Sequence, residues 1–518
     1  MSPGDAPLGR GRAEPAASRP ELLAALGFFA LGTFLRAHHI TGHELWIDEY
    51  VTSWAIAGES WREVWQRALE IQVQSPLYYL LVRTFVEVFG EGALALRLPS
   101  LVCGIALLGF AYVVAMRLFS NRRVALVTVA AFALDERLIF YSRDARPYAM
   151  ALLCATASFF FYAELLRDER WRTRLRWILL TAATYYVHYL FGAILLVQAL
   201  HYALHRPHSF ARLRRDGSAL AFLGVLMAPG ALQLNGLYIR RRLLDWVPPG
   251  DGAFPGLDLA LEFLDLRVLG LVCVALLFAI AIERPRSLRL PGSWLGLLLL
   301  WLGIPLLLVL VASPLLGVNL VYPRYVLVIV PAVALLYGTL AGLPRGARLA
   351  WLVAAVFVSA TAVLSVKPML EGDGQFSNWY RDQRWASATG ALAKRYRDGD
   401  LVLYGTRFVE LDAVVRGEAR AVVTGFAAWP VRAHLPPERD FQLRALPYRY
   451  TPETTRKLLR GLGESAGRVW IIGLPKAVRR ATPLIEREAG LQVAKRQRYG
   501  IVHLVLMTQQ HQRPSPEA

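Results

Sequence analysis

The sequence predicts a polytopic α-helical membrane protein of about eleven spans that ends in a small α/β domain outside the bilayer. Three observations carry this. Hydrophobic residues make up 55% of the 518 residues, with a mean hydropathy of +0.37. Apolar runs such as ELLAALGFFALGTFL, WLGLLLLWLGIPLLLVLVA and RLAWLVAAVFVSATAVLSV recur along the chain, each able to cross roughly 30 Å of hydrocarbon as a helix. After Lys367 the composition changes to that of a mixed, water-exposed domain.

The formal charge of +19 does not point to nucleic acid. The arginines fall mostly in short loops between apolar runs, the pattern of cytoplasmic loops in membrane proteins. Cys103, Cys154 and Cys273 all lie inside apolar runs and read as small buried hydrophobes rather than a disulfide framework.

Along the chain, residues 1–20 carry Arg10, Arg12 and Arg19 and read as a cytoplasmic tail before a multi-span domain at 21–366. No small-residue cleavage site follows the first apolar run, so an uncleaved span is expected. The first outer loop, 38–96, contains GHELWIDEY and then SPLYYLLVRTFVEVFG. The latter is short and carries Arg83 and Glu87 at i,i+4, which predicts a helix lying at the outer interface. The run LRLPSLVCGIALLGFAYVVAM returns the chain to RLFSNRR on the cytoplasmic side.

Further on, RDERWRTRLR and HRPHSFARLRR flank one apolar stretch that is too short for two full spans. Both flanks favour the cytoplasm, so two short helices meeting near His188 are expected in place of one long tilted span. Spans follow near 218–237, 264–283, 294–312, 325–342 and 349–366. Residues 367–508 form the α/β domain, with LVLYG, RVWIIG and YGIVHLVLM as strands and TPETTRKLLRGLG as a helix. Residues 509–518 read as a disordered tail.

The polar residues left over gather on the outer face. Glu44, Trp46, Asp48 and Glu49 lie in the first loop, and Arg143, Asp144, Arg146 and Tyr148 in YSRDARPYAM. His188 stands among tyrosines, Arg240, Arg241, Arg242 and Trp246 form a fourth group, and Arg324 and Tyr325 a fifth. Each has a plain alternative. The carboxylates could cap a helix, Asp144 could pair with its arginines, His188 could sit in an interfacial aromatic cluster, and the arginine triplet or Arg324 could meet head groups. Together they describe something narrower. A planar arginine fork suits phosphate, and a carboxylate beside it suits a general base that activates an acceptor hydroxyl or amine.

The ordered set LWIDEYVTSWAIAGES, SPLYYLLVRTFVEVFGEGALALRLPSLVCGIALLGFAYVVAMRLF, YSRDARPYAM, YYVHYLFGAILLVQ, WVPP and RYVLVIVPAVALLYG resembles the glycosyltransferase family 39-like membrane enzymes of the GT-C fold, over roughly residues 21 to 400. These are relatives of the protein O-mannosyltransferases and the aminoarabinose lipid A transferase. The resemblance implies Asp48 as the catalytic residue with Glu49 beside it. It implies Arg324, Arg146 and the group Arg240, Arg241 and Arg242 on the donor phosphate. Asp144 and Arg146 stand at the second-loop motif, where many members have glutamate. Val187-His188-Tyr189 departs from the family's Thr-His-Tyr-like element, so only the histidine and tyrosine carry over.

Glu44, Trp46, Tyr78, Asp144, Tyr148, His188, Trp246 and Tyr325 would line the site. The implied reaction is inverting transfer of a sugar from a polyprenyl-phosphate donor to a lipid, protein or polysaccharide acceptor on the extracytoplasmic face of a bacterial inner membrane. Neither a nucleic-acid partner nor a fixed cofactor is called for. Asp48, Glu49 and Asp144 could hold a divalent metal ion, although no ligand spacing demands one. Two rival readings are a transporter or flippase for lipid-linked sugars and a non-catalytic glycan-binding assembly subunit. A transporter would carry its ionisable residues near the midplane of repeated halves, and no repeat is visible.

Overall fold

The computed structural model describes residues 19–71, 74–168, 170–205, 210–239, 241, 255–283, 292–371, 382–463 and 467–509. The chain divides into two compact units, one of Met1–Ile40 with Ala68–Phe376 and one of Thr41–Arg67 with Ser377–Ala518. Most of the expected N-terminal tail and nearly all of the expected C-terminal tail lie outside the described residues.

In chain order, α1 (Arg19–Ala37) opens the helical unit, and α2 (Ile47–Ile56) and α3 (Trp61–Gln66) belong to the second unit. The chain returns with α4 (Leu77–Phe89), α5 (Ala93–Phe119), α6 (Arg122–Leu134), α7 (Glu136–Ser142) and α8 (Tyr148–Leu165). Then come α9 (Trp171–Val187), α10 (Ile194–His205), α11 (Phe210–Ile239), α12 (Pro255–Leu264) and α13 (Leu266–Glu283). The unit closes with α14 (Gly292–Leu316), α15 (Val330–Gly342), α16 (Ala347–Thr361) and α17 (Lys367–Glu371).

Among the described residues, seven stretches are long and apolar enough to cross a membrane: α1, α5, α8, Asp216–Ile239 of α11, α13, Trp294–Leu316 of α14 and Ala347–Glu371. Two shorter apolar helices, Tyr189–His205 and Leu327–Gly342, follow among the described residues, so the expected count of about eleven exceeds the spans that length and composition mark. Between their ends, helices satisfy the backbone groups internally, as hydrocarbon requires. Their outer faces are correspondingly greasy: Val274, Leu277 and Phe278 on α13 and Leu315 on α14 are all more than half exposed. Gly32 lets α1 approach α5 and α6 closely, because a Cβ there would stand 2.6 Å from a Leu108 methyl and 2.9 Å from Ala133 Cβ.

The interruption expected at His188 is present. α9 stops at Val187, His188 is extended, and a 3₁₀ turn over Tyr189–Ala193 leads into α10. Trp177 Nε1 donates to Gln198 Oε1 at 2.7 Å, which joins positions nearly equidistant from the break. Farther from it, Arg174 donates to one Asp216 oxygen at 3.0 Å and the Tyr202 hydroxyl to the other. The chain therefore folds back at His188, and Arg174 of the first basic flank meets Asp216, which follows the second.

The second unit is an α/β layer structure. Its sheet contains β1 (Leu401–Gly405), β2 (Gln442–Ala445), β3 (Arg468–Gly473), β4 (Gln492–Tyr499) and β5 (Val502–Thr508), in the order β2-β1-β3-β5-β4. β2, β1 and β3 run parallel, while β5 is antiparallel to both β3 and β4. Helices α18 (Trp385–Ala393), α19 (Leu411–Arg416), α20 (Ala421–Arg432), α21 (Pro452–Gly463) and α22 (Pro475–Ala489) complete the unit. One core contains Tyr50 of α2 together with Trp385, Leu392, Val402, Tyr404, Val431 and Trp470. The other gathers Leu401, Leu403, Leu458, Val478, Ile485 and Val505. Residues 41–67, grouped by the sequence reading with the membrane domain, thus pack as part of the C-terminal unit.

Candidate active site

In the helical unit the motif SRDAR bridges the end of α7 and the start of α8. The Arg146 amide donates back to the Asp144 carbonyl at 2.7 Å, forming a tight turn that ends at Pro147, the residue capping α8. Tyr78 of α4 and Ser100 of α5 fix this turn from the side. The Ser100 hydroxyl donates to the Arg146 carbonyl at 3.0 Å, so the Tyr78 hydroxyl, 2.9 Å from Ser100 Oγ, supplies the proton of the second bond. Asp144 is fully buried, Arg146 nearly so. Arg143 turns away and donates to the Leu35 carbonyl, tying the motif to α1.

Aromatic rings extend the cluster. Tyr148 stands 4.6 Å from Tyr141 and 5.5 Å from the His188 ring, which lies 4.3 Å from Phe191. Arg324 follows Pro323 in a short 3₁₀ turn, and its guanidinium sits 5.5 Å from the Tyr322 ring and 5.6 Å from that of Tyr325. Both rings border the cation, a setting that suits a flat, weakly hydrated guanidinium. Arg324 and Arg146 are both close enough for their charges to act on His188, and Asp144 close enough to act on Tyr78 and Tyr141. His188 Nδ1 is buried without a hydrogen-bond partner among the described residues. Tyr78, Asp144, Arg146, Tyr148, His188, Arg324 and Tyr325 are thereby brought together: two arginines, a carboxylate and an imidazole in an aromatic setting.

Asp48 and Glu49 are carried by the second unit, in the first turn of α2, where the helix dipole favours anions. Glu49 is fully buried, and its carboxylate accepts from the amide of Trp46, the N-cap residue, at 3.4 Å. That is the reach-back half of a capping box. Asp48, one residue earlier, stays partly exposed. Glu44 accepts from the Ala386 and Ser387 amides at 2.8 and 3.3 Å and from the Ser387 hydroxyl, so it caps the start of α18.

The fourth group divides. Arg240, Arg242 and Trp246 lie outside the described residues. Arg241 donates to the Leu316 carbonyl at 3.0 Å and the Tyr238 carbonyl at 2.9 Å, and covers the Tyr238 ring at 4.3 Å. Its fork is occupied in closing the end of α14. Among the described residues no group of three or more His, Cys, Asp or Glu is gathered to hold a metal ion. Sequence reasoning missed Ser100, Gln383 and His434, whose roles come from contacts across long stretches of chain and leave no local pattern.

Comparison with known proteins adds to this geometry. No curated protein matches the chain. Residues 73–229 match a family described as dolichyl-phosphate-mannose-protein mannosyltransferase. The crystal structure of ArnT from Cupriavidus metallidurans bound to undecaprenyl phosphate superposes with a TM-score of 0.56 at 12% identity, covering 94% of this chain and 97% of that one. The fold is GT-C. The apo crystal structure of the same ArnT matches at a TM-score of 0.46 and 13% identity, over the same shares of both chains. The GT-C fold accounts for the helical unit and for the small sheet domain at the C-terminal end.

Proposed function

We propose that this protein is a membrane glycosyltransferase that moves a sugar from a polyprenyl-phosphate carrier to an acceptor nucleophile. The observation that carries the reading is the pair of arginines, Arg146 on the SRDAR turn and Arg324 beside Tyr322 and Tyr325, whose charges both act on His188, in a fold for which one solved structure holds undecaprenyl phosphate. In this reading Asp48 takes the proton from the acceptor O–H or N–H as that atom attacks the anomeric carbon. The bond from that carbon to the carrier phosphate oxygen breaks, and the electron pair leaves with polyprenyl phosphate. Attack opposite the leaving group inverts the anomeric centre.

The leaving phosphate monoester gains charge as the bond breaks, so preorganised guanidinium groups stabilise the transition state more than the bound donor. Arg324 beside its two tyrosines and Arg146 on its braced turn suit that requirement. Partly exposed Asp48 suits proton transfer better than Glu49, which is buried as a cap.

Purified protein in lipid, given a panel of polyprenyl-phosphate sugars and membrane extract as acceptor source, tests this by release of free polyprenyl phosphate. Release by wild type should fall by at least about 10²-fold in Asp48→Asn, the lower range for loss of a general base. Equal release by both proteins would remove Asp48 from the reaction and turn attention to Asp144.

A further inference from the structure

α2 carries Asp48, yet another part of the sequence holds the helix in place. Ile47, Tyr50, Ser53 and Trp54 recur at helical spacing and fall on one stripe. Each meets a C-terminal partner. The Ile47 amide donates to Gln383 Oε1 at 3.0 Å, and the Tyr50 hydroxyl is hydrogen-bonded to His434 Nε2 at 2.5 Å. Trp429 Nε1 donates to Ser53 Oγ at 3.2 Å, and the Trp54 ring lies 5.1 Å from Phe426. Asp48 sits on the neighbouring stripe with Thr52 and Ala55, about 100° around the helix from Ile47. The C-terminal domain thus grips α2, the helix that carries this carboxylate, along the Ile47 stripe.

Two of these partners are placed where they fix the helix start. The Ile47 amide is a first-turn donor, which a helix leaves without an internal acceptor. Gln383 supplies that acceptor, and the same oxygen accepts from Trp385 Nε1 at 3.0 Å, so the side chain is clamped within the buried core. His434 meets Tyr50 edge-on, with ring centroids 5.6 Å apart, and Tyr50 is itself 1% exposed. Asp48 lies between these two anchors in the sequence, one residue after the first and two before the second.

We propose that Gln383 and His434 are positioning residues for Asp48, so that the C-terminal domain sets where this carboxylate stands. The catalytic part of this proposal rests on the transferase reading above, whereas the grip rests on geometry alone. Misplacing a reacting group by about 1 Å can cost on the order of 10²-fold in rate. Neither Gln383 nor His434 needs to touch substrate to produce that effect.

The test uses the full chain in lipid, with two readouts on Tyr50→Phe, His434→Ala, His434→Gln and Gln383→Ala. Hydrogen exchange reports the α2 amides, and initial rates of carrier release give kcat and the donor KM. Tyr50→Phe and His434→Ala should each speed exchange across Ile47–Ile56 and lower kcat about tenfold at unchanged KM, with the double variant no worse than either single, because both remove one bond. His434→Gln, which keeps a hydrogen-bonding group, should recover most of the loss. Unchanged exchange in α2 would overturn the grip. Faster exchange with unchanged kcat would overturn its link to Asp48, and faster exchange throughout the C-terminal unit would reduce both residues to general structure. Wild type that releases no carrier from any donor would overturn the transferase reading, while the exchange readout would still decide the grip.

Discussion

Arg324 tests whether a site depends on the shape of a cation or only on its charge. Its guanidinium borders the rings of both Tyr322 and Tyr325, an arrangement that suits a flat, weakly hydrated ion better than a compact ammonium. Arg324→Lys keeps the charge but loses both the planar fork and the ring contact. It should lower kcat for carrier release about tenfold, and Arg324→Ala about 10²-fold; equal rates for lysine and arginine would show that charge alone suffices. His434 makes a second prediction at this scale. Burial pushes its pKa below the ordinary histidine value, with the Glu44 charge acting the other way. The folded state therefore binds the proton less readily than the unfolded chain. Its contribution to stability is complete above about pH 6.5 and is lost as pH falls from there through the folded value, with a slope of at most about 1.4 kcal/mol per pH unit. Chemical denaturation of the wild type between pH 7.5 and 5 should show that loss, and His434→Gln should flatten it.

Among the elements, α18 shows how a residue expected in the site can serve the fold. Its first-turn amides at Ala386 and Ser387 are capped by Glu44, more than three hundred residues earlier. Glu44→Ala should destabilise the C-terminal unit by about 1 kcal/mol, as removal of a helix cap does. Glu44→Gln, which retains the acceptor oxygen, should cost less, and denaturant midpoints at a fixed m-value separate the two. The same unit shows which elements a sequence reveals. LVLYG and RVWIIG match β1 and β3 residue for residue, because central strands buried on both faces read as continuous apolar runs. β4, QVAKRQRY, was not legible, since an edge strand protected by lysine and arginine carries no hydrophobic alternation. β2 is only four residues long and also lies at an edge. The break at His188 could be read from charge parity without any propensity argument, because two basic flanks cannot end on opposite sides of a membrane at equal cost.

For the whole molecule, the sequence marks two compositions but not the border between two units. YSRDARPYAM, the His188 turn and the Arg324 turn could be named as site candidates because polar residues at membrane-helix ends stand out against apolar neighbours. That α2 belongs with the C-terminal domain could not be read, because Tyr50 and Trp54 look like any apolar positions after a first span. In the structure Tyr50 lies in one core with Trp385, Tyr404 and Trp470. An aromatic side chain buries about 150–250 Å², worth several kcal/mol at roughly 25 cal/mol per Å². A whole domain holds only about 5–15 kcal/mol in reserve. Residues 377–509 produced alone should therefore lack cooperative unfolding and expose the apolar surface around Phe426 and Trp429. The same segment joined through a flexible linker to residues 41–67 should melt in one transition, with the Trp429 and Trp54 signals moving together. Identical melting of the two proteins would mean that α2 only rests on a finished domain, and the C-terminal unit would then have no structural claim on Asp48.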